Sequence, residues 1–448
     1  MENVSDKPAE SVTATRKVGR YRIIVLLVVW FLYVLNYFDK FAVLYLLPYI
    51  RTDLKLTHEV VGFAASLFFF SYWAAQLPSG MLADKFGPKR VMGVAIAVFT
   101  FFTFLTGRVY SLASFIAVRL GLGLGEGFHF VPSIRAISDW FPGKEKGRAT
   151  SFFTTAWTVA PAVGAILITL IAGAWGWRSV FYFLAIPGVF GILALWYYMY
   201  DSPEQAQQAG KMSKEEVDYI KGDNPATPSG EVAVAKASFR DMLGDLQLWI
   251  ISVIVFLRLF VFWGTSFWLS SFLAEQHGFN IKTMGALAAL PYLVGFGSQM
   301  CAGWMMDKVT KSRAKPLIIT AFTGLAVILY AITLIPKGDV PLLIVALALL
   351  GFFNVFYDGP IYAFVQLRYP KDVVGSVTGI TQAVGQFGSF VAPAVTGFFV
   401  TVGAKGVANF TIVFLVFVGI SVLGLLLSAL LSETPLNMAR LNHKKVAA

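Results

Sequence analysis

The sequence predicts an all-α membrane protein whose twelve transmembrane helices form two related six-helix bundles. Three observations carry that prediction. The 448-residue chain is 57% hydrophobic and only 14% charged, whereas a soluble domain carries about 25% charge. Apolar runs begin near residues 22, 58, 88, 112, 148, 178, 246, 282, 314, 340, 372 and 407, each of the roughly 20 residues that a spanning helix needs. The last six runs echo the first six.

Taken in order, residues 1–21 are polar and basic and read as a cytoplasmic tail, with no secretory signal expected. Residues 22–200 hold the first six runs, the N-terminal bundle. Within it Gly80-Met-Leu-Ala-Asp84-Lys85 follows the second run and Trp140-Phe-Pro142 closes the fourth, about 112–138. Val159-Ala-Pro-Ala-Val163 lies in the fifth. Residues 201–245 are a polar cytoplasmic linker, with a short helix expected around Ser213–Lys221. Residues 246–432 form the C-terminal bundle, and 433–448 a second cytoplasmic tail.

In that second bundle Gly303-Trp-Met-Met-Asp307-Lys308 follows the eighth run, and Arg368-Tyr-Pro370 closes the tenth. Pro132 and Pro360 fall at matching positions, and Val391-Ala-Pro-Ala-Val395 returns in the eleventh run. The spacing between partners drifts slowly and in order, as a duplicated unit requires. Parallel six-helix repeats with a midplane site between them describe a secondary transporter.

The net charge of +11 is placed by topology. Most of the 36 Lys and Arg fall on the side of the termini, the positive-inside pattern, so both termini read as cytoplasmic and the inner membrane as the location. The basicity therefore implies no nucleic-acid partner. The single cysteine, Cys301, cannot form an intrachain disulfide. Four scattered histidines offer no metal spacing. The glycines of Gly121–Gly127 lie inside a membrane helix and make no dinucleotide loop, and no phosphate-cradling Gly-Lys-Ser/Thr loop is present. Neither an enzyme nor a cofactor is expected, and the chain reads as a monomer in the lipid bilayer.

Four charges stand where lipid disfavours them: Asp39 and Lys40 in the first helix, Arg119 and Glu126 in the fourth. An intramembrane charge costs about 2.5–3.5 kcal/mol on insertion scales and marks an ion or substrate path. At 1.5 Å rise per residue, Asp39 and Lys40 lie ~6–8 Å outside the midplane, Glu126 at it, and Arg119 ~9 Å outside. Arg119 can then reach Asp39 laterally or face Glu126 two turns below. Burial favours a neutral carboxyl and a nearby cation favours a charged one, which suits a proton carrier. A static cluster bracing the two helices is the alternative.

The motifs carry a resemblance. Gly80-Met-Leu-Ala-Asp84-Lys85-Phe-Gly87-Pro-Lys89-Arg90 resembles the loop signature of the major facilitator superfamily, and Arg119-Leu-Gly-Leu-Gly-Leu-Gly-Glu126 its fourth-helix motif. With Asn36-Tyr37-Phe38-Asp39-Lys40 and Ser138-Asp-Trp-Phe-Pro142, the chain is similar to the anion:cation symporter family, which includes sugar-acid and aromatic-acid permeases. That resemblance implies a proton-coupled importer of a small organic anion. It gives proton coupling to Asp39 and Glu126, tuning of both to Arg119, and the substrate carboxylate to Lys40. Lys40 departs from the family arginine and lacks its bidentate fork.

Tyr37 and Tyr72 match cavity-lining aromatics, and Gln382 an amide position. Trp157 stands where a sugar-acid relative carries glutamine. With Trp30, Tyr33, Phe70, Trp263 and Trp268 nearby, an aromatic or less hydroxylated carboxylate is expected. Arg258 and Asp358 match nothing in the family. They read either as a structural pair or as a second cationic contact with its counter-ion. His129, one turn below Glu126, reads as packed and neutral or as a relay partner. Gly80, Asp84, Lys85, Arg90 and Asp307 read as a conformational latch, and Gly121, Gly123 and Gly125 as packing positions. A rival function is a proton-coupled antiporter exporting amphipathic compounds, since Ala160-Pro161-Ala-Val-Gly164 partly resembles an antiporter motif.

Overall fold

The computed structural model describes residues 19–222, 243–310, 313–369, 371–403 and 407–434. The N-terminal half runs α1 (Tyr21–Asp53), α2 (His58–Phe86), α3 (Pro88–Thr106), α4 (Leu112–Gly127), α5 (Phe130–Trp140), α6 (Gly143–Thr154), α7 (Ala156–Trp175) and α8 (Trp177–Tyr198). Two short helices follow, α9 (Pro203–Gln208) and α10 (Lys214–Gly222). The C-terminal half runs α11 (Leu246–Ser271), extended by a π turn over Phe272–Gln276, then α12 (Ile281–Lys308), α13 (Lys315–Thr333), α14 (Val340–Phe356), α15 (Asp358–Arg368), α16 (Lys371–Thr396) and α17 (Thr411–Ala429). A two-residue hairpin, β1 (Thr401–Val402) with β2 (Ala408–Asn409), precedes α17.

Among the described residues, nine segments are long and apolar enough to cross a bilayer. Helix α2, the α4–α5 pair and α16 complete the twelve crossings and the two six-helix bundles. The helices begin where local chemistry starts them. Thr57 caps α2, Ser111 and Ser114 form a capping box on α4, and Asn280 accepts two backbone N–H groups at the start of α12. At Gly87 the backbone takes φ +84, and a β-carbon there would run into the Asp201 carboxylate. Asp201 thereby accepts the Lys89 backbone N–H at 3.0 Å. The repeat reproduces this contact: Glu433 accepts the Lys315 backbone N–H at 2.8 Å.

The fourth span is not the single helix expected over 112–138. It breaks at Phe128–His129, and the tenth span breaks at the matching place, Tyr357. Proline explains both, because its ring clashes with the carbonyl four residues earlier. Pro132 disrupts the turn at Phe128 and Pro360 the turn at Phe356. The small residues of α4 serve close packing: a β-carbon on Gly125 would sit 2.7 Å from the Phe99 backbone nitrogen of α3.

Helix α10 packs at one end of the bundle, where Glu216 accepts the backbone N–H groups of Tyr21 and Arg22, each at 3.2 Å. This end is called the linker face and the other the far face. The halves meet through α1 on α11, α2 on α16 and α7 on α12. Several of those contacts crowd the far face. Arg51 reaches Glu275 at 2.8 Å and His58 reaches the same carboxylate at 2.9 Å. Gly62 lies against the Pro393 carbonyl, and Gly285 against Ala165 and Thr169.

Candidate functional site

The centre of the N-terminal half is built on α1. Asn36 and Tyr37 precede Lys40 by four and three residues, so each neighbours Lys40 on the helix surface. The Lys40 ammonium donates to Asn36 Oδ1 at 2.8 Å and stands 3.3 Å from Glu126 Oε2. It lies 4.1 Å from the centre of the Tyr72 ring and 4.6 Å from that of Tyr37. Lys40 is 3% exposed and Glu126 0%, so the pair is desolvated and its aromatic walls strengthen the hold on the cation. Glu126 is the penultimate residue of α4, immediately before the Phe128–His129 break.

Arg119 does not pair with either acid. Its guanidinium lies over the Phe68 ring at 4.3 Å, and its nitrogens have no hydrogen-bond partner among the described residues. Asp39 is held instead by α3, where the Thr103 hydroxyl donates to its Oδ2 at 2.7 Å. His129 is fully buried and stacks on Tyr33 with ring centres 5.8 Å apart. Both of its ring nitrogens lack partners among the described residues, so it makes no hydrogen bond to Glu126 here.

In the other half Arg258 of α11 forms an ion pair with Asp358, the first residue of α15, and Gln299 of α12 donates to the same carboxylate at 3.2 Å. Arg258 also lies 5.6 Å from the centre of the Tyr357 ring. Gln382 of α16 is bonded to Tyr362 of α15. Trp157 meets Phe262 edge-on at 5.9 Å and lines a small pocket between the halves with Thr265, Ser266, Tyr292 and Asn354. Asn354 Nδ2 donates to Thr265 Oγ1 at 3.1 Å, while its own side-chain oxygen is buried without a partner among the described residues.

Thr265, Ser266, Tyr292 and Asn354, like Thr158 in the same lining, escaped the sequence reading, although a signal existed. The step relating Pro132 to Pro360 also relates Glu126 to Asn354. The step between the starts of α1 and α11 relates Lys40 to Thr265. The charged pair of one half thus has a neutral counterpart in the other. Thr103 gave no signal, because its importance depends on which face of α3 meets α1. Of the latch residues, Gly80 lies near Val131, and Lys85 and Arg90 are exposed on the linker face. The side chains of Asp84 and Asp307 lie outside the described residues.

Two pseudo-symmetric bundles enclosing a buried ionic centre define a multi-pass membrane carrier. The chain belongs to the Major Facilitator Superfamily, whose profile matches residues 29–393 and 313–446. It is a transporter and not an enzyme. It is 25% identical over 401 residues to the "Probable L-galactonate transporter" of Escherichia coli K12, covering 88% of this chain and 86% of the relative. It is 27% identical over 413 residues to the "Probable galactarate/D-glucarate transporter GarP" of the same organism, covering 88% and 91%. It is 26% identical over 387 residues to the "Probable sulfoacetate transporter SauU" of Cupriavidus necator, covering 85% and 87%. Among solved structures, a bacterial homolog of the human lysosomal transporter Spinster, inward-facing and unoccupied, superimposes with TM-score 0.73 at 18% identity, covering 92% of this chain and 98% of that one. A D-xylose-proton symporter gives 0.71 at 16% identity, covering 93% and 98%.

Proposed function

We propose that this chain is a proton-coupled symporter that imports a small organic anion by alternating access. One observation carries the reading: Lys40, the cation an incoming carboxylate seeks, is already paired with Glu126 at 3.3 Å in a buried site. Removing one partner of a buried pair costs about 3–5 kcal/mol, because the other charge is left uncompensated. A substrate carboxylate that takes Lys40 displaces Glu126, and the displaced acid is then stable only with a proton. Anion and proton binding are linked through that exchange. Asp39 supplies a second protonatable group, and the unpartnered Arg119 lies within reach of whichever acid is charged.

The cargoes named for the relatives, sugar acids and sulfoacetate, support an anionic substrate. Thr265, Ser266 and Asn354 offer hydrogen bonds to its polar end, and Trp157 and Tyr292 pack against its carbon frame. Arg258 is a second cationic contact, freed when Asp358 is neutralised. The positive-inside bias supports the inner membrane as the location, with the linker face and both termini in the cytoplasm. Far-face contacts between the halves then support an inward-facing form.

The test uses proteoliposomes carrying an alkaline interior and labelled L-galactonate, galactarate and sulfoacetate as probes. Wild type accumulates at least one of them. Glu126→Gln keeps binding and exchange but loses accumulation driven by the gradient. Accumulation by that variant at the wild-type rate refutes the scheme, and a requirement for the opposite gradient favours antiport.

A further inference from the structure

The N-terminal centre contains two acids and two cations, yet its contacts are sorted. Lys40 goes to Glu126, Arg119 to the face of Phe68, and Asp39 to a neutral hydroxyl. The hydroxyl is the informative member. Helical serines and threonines ordinarily return their proton to a carbonyl three or four residues back. Those of this chain do so repeatedly: Thr106 to Phe102, Thr169 to Ala165, Thr265 to Val261, Ser252 to Leu248 and Ser421 to Phe417. Thr103, one turn from Thr106 on the same helix, instead donates its hydroxyl hydrogen bond to Asp39 Oδ2 at 2.7 Å. Both side chains are buried, Thr103 at 1% exposure and Asp39 at 4%.

We infer that Thr103 is a positioning residue for coupling: it holds Asp39 on the α3 side, keeps it out of the Lys40–Glu126 pair, and sets how readily it takes a proton. This rests on the reading of Asp39 as a proton carrier. The charged groups facing Asp39 are Lys40 on its own helix and Glu126 on α4, while Arg119, also on α4, lies over the Phe68 ring. Against that background Thr103 contributes a donor that only the ionised acid uses fully. A carboxylate that accepts a hydrogen bond is favoured over its protonated form. Helix α3 packs on α4 and α8 within the N-terminal half, so the donor travels with Asp39 when the halves rock, and the proton affinity it sets holds through the cycle. Without the hydroxyl, Asp39 is free to compete with Glu126 for Lys40.

The experiment follows the carboxylic C=O infrared band of Asp39 in purified full-length protein in lipid nanodiscs, identified as the band absent from Asp39→Asn. Its intensity is titrated with pH, which needs no transported ligand. Thr103→Val is expected to move the midpoint up by about one pH unit or more, since a hydrogen bond to a charged group is worth roughly tenfold or more in an equilibrium. Thr103→Ser is expected to restore the wild-type midpoint, and adding Thr103→Val to Asp39→Asn to leave the remaining titrations unchanged. Should Thr103→Val fail to fold, Thr103→Ala serves in its place. A midpoint in the valine or alanine variant equal to wild type overturns the positioning role while leaving Asp39 a proton carrier. A band that never titrates across the neutral range removes the coupling role of Asp39 and this inference with it.

Discussion

Lys40 on α1 and Glu126 on α4 face each other at 3.3 Å, and the internal repeat places a neutral pair, Thr265 and Asn354, at the corresponding positions of the other half. One duplicated contact has therefore diverged into an ionic member and a polar one. The ionic member can exchange partners with an anion and a proton. The polar member can only exchange hydrogen bonds, which suits it to the uncharged part of a substrate.

The pair should behave as a unit in stability. Lys40→Gln and Glu126→Gln are each expected to lower unfolding free energy by about 3–5 kcal/mol, and the double variant by much less than their sum. Thermal unfolding of the four proteins in detergent gives the coupling. Strict additivity would show that the two charges do not depend on each other.

Arg258 and Asp358 pose a question that the same design answers. Asp358→Asn should destabilise strongly, by about 3–5 kcal/mol, because it strands a buried guanidinium. Adding Arg258→Gln should recover most of that loss. If Arg258 only braces the half, transport returns together with stability. If it touches the anion, stability returns and uptake does not.

The far-face contact of Arg51 and His58 with Glu275 joins the two halves. Glu275→Gln removes a charge that both partners share, so the far face should open more often. A cysteine replacing Thr169, on α7 against Gly285, reports this in a background lacking Cys301. Its labelling by a water-soluble maleimide should be several-fold faster with Glu275→Gln, and an unchanged rate would mean that the contact does not hold the face closed.

Trp157 fills the pocket edge beside Phe262 with an indole, which has a single N–H donor and no acceptor to offer a polyol chain. Trp157→Gln supplies an amide at this place and should favour more hydroxylated anions. Thermal-shift titration reads it directly, because a ligand that binds only the folded state raises stability. The expected result is a larger shift with galactarate than wild type shows, with the sulfoacetate shift unchanged or reduced. Loss of both shifts would mark the indole as a general contact.

The helix starts were largely legible in the sequence, because a bilayer selects by length and hydropathy and both are local properties of the chain. Near agreement at Tyr21, His58, Pro88, Leu112, Leu246 and Val340 reflects that. The helix breaks were also legible in principle: Pro132 and Pro360 each point four residues back to the turn that opens. Their proximity to Glu126, Asn354 and Asp358 was not drawn from the pattern.

What the sequence determined by itself was the inventory: twelve crossings, a duplicated half, four charges in α1 and α4, and a further pair, Arg258 and Asp358, in the second half. It also set an expected depth for each, since helical rise converts residue number into distance along a helix. What only the tertiary structure decided was the pairing. Depth leaves Asp39, Lys40, Arg119 and Glu126 all within reach of one another. The choice of Glu126 for Lys40, of Phe68 for Arg119 and of Thr103 for Asp39 depends on lateral packing and rotamers between helices distant in the chain. Those are set by how side chains fill the space between α1, α2, α3 and α4, and no periodicity along a single helix encodes them.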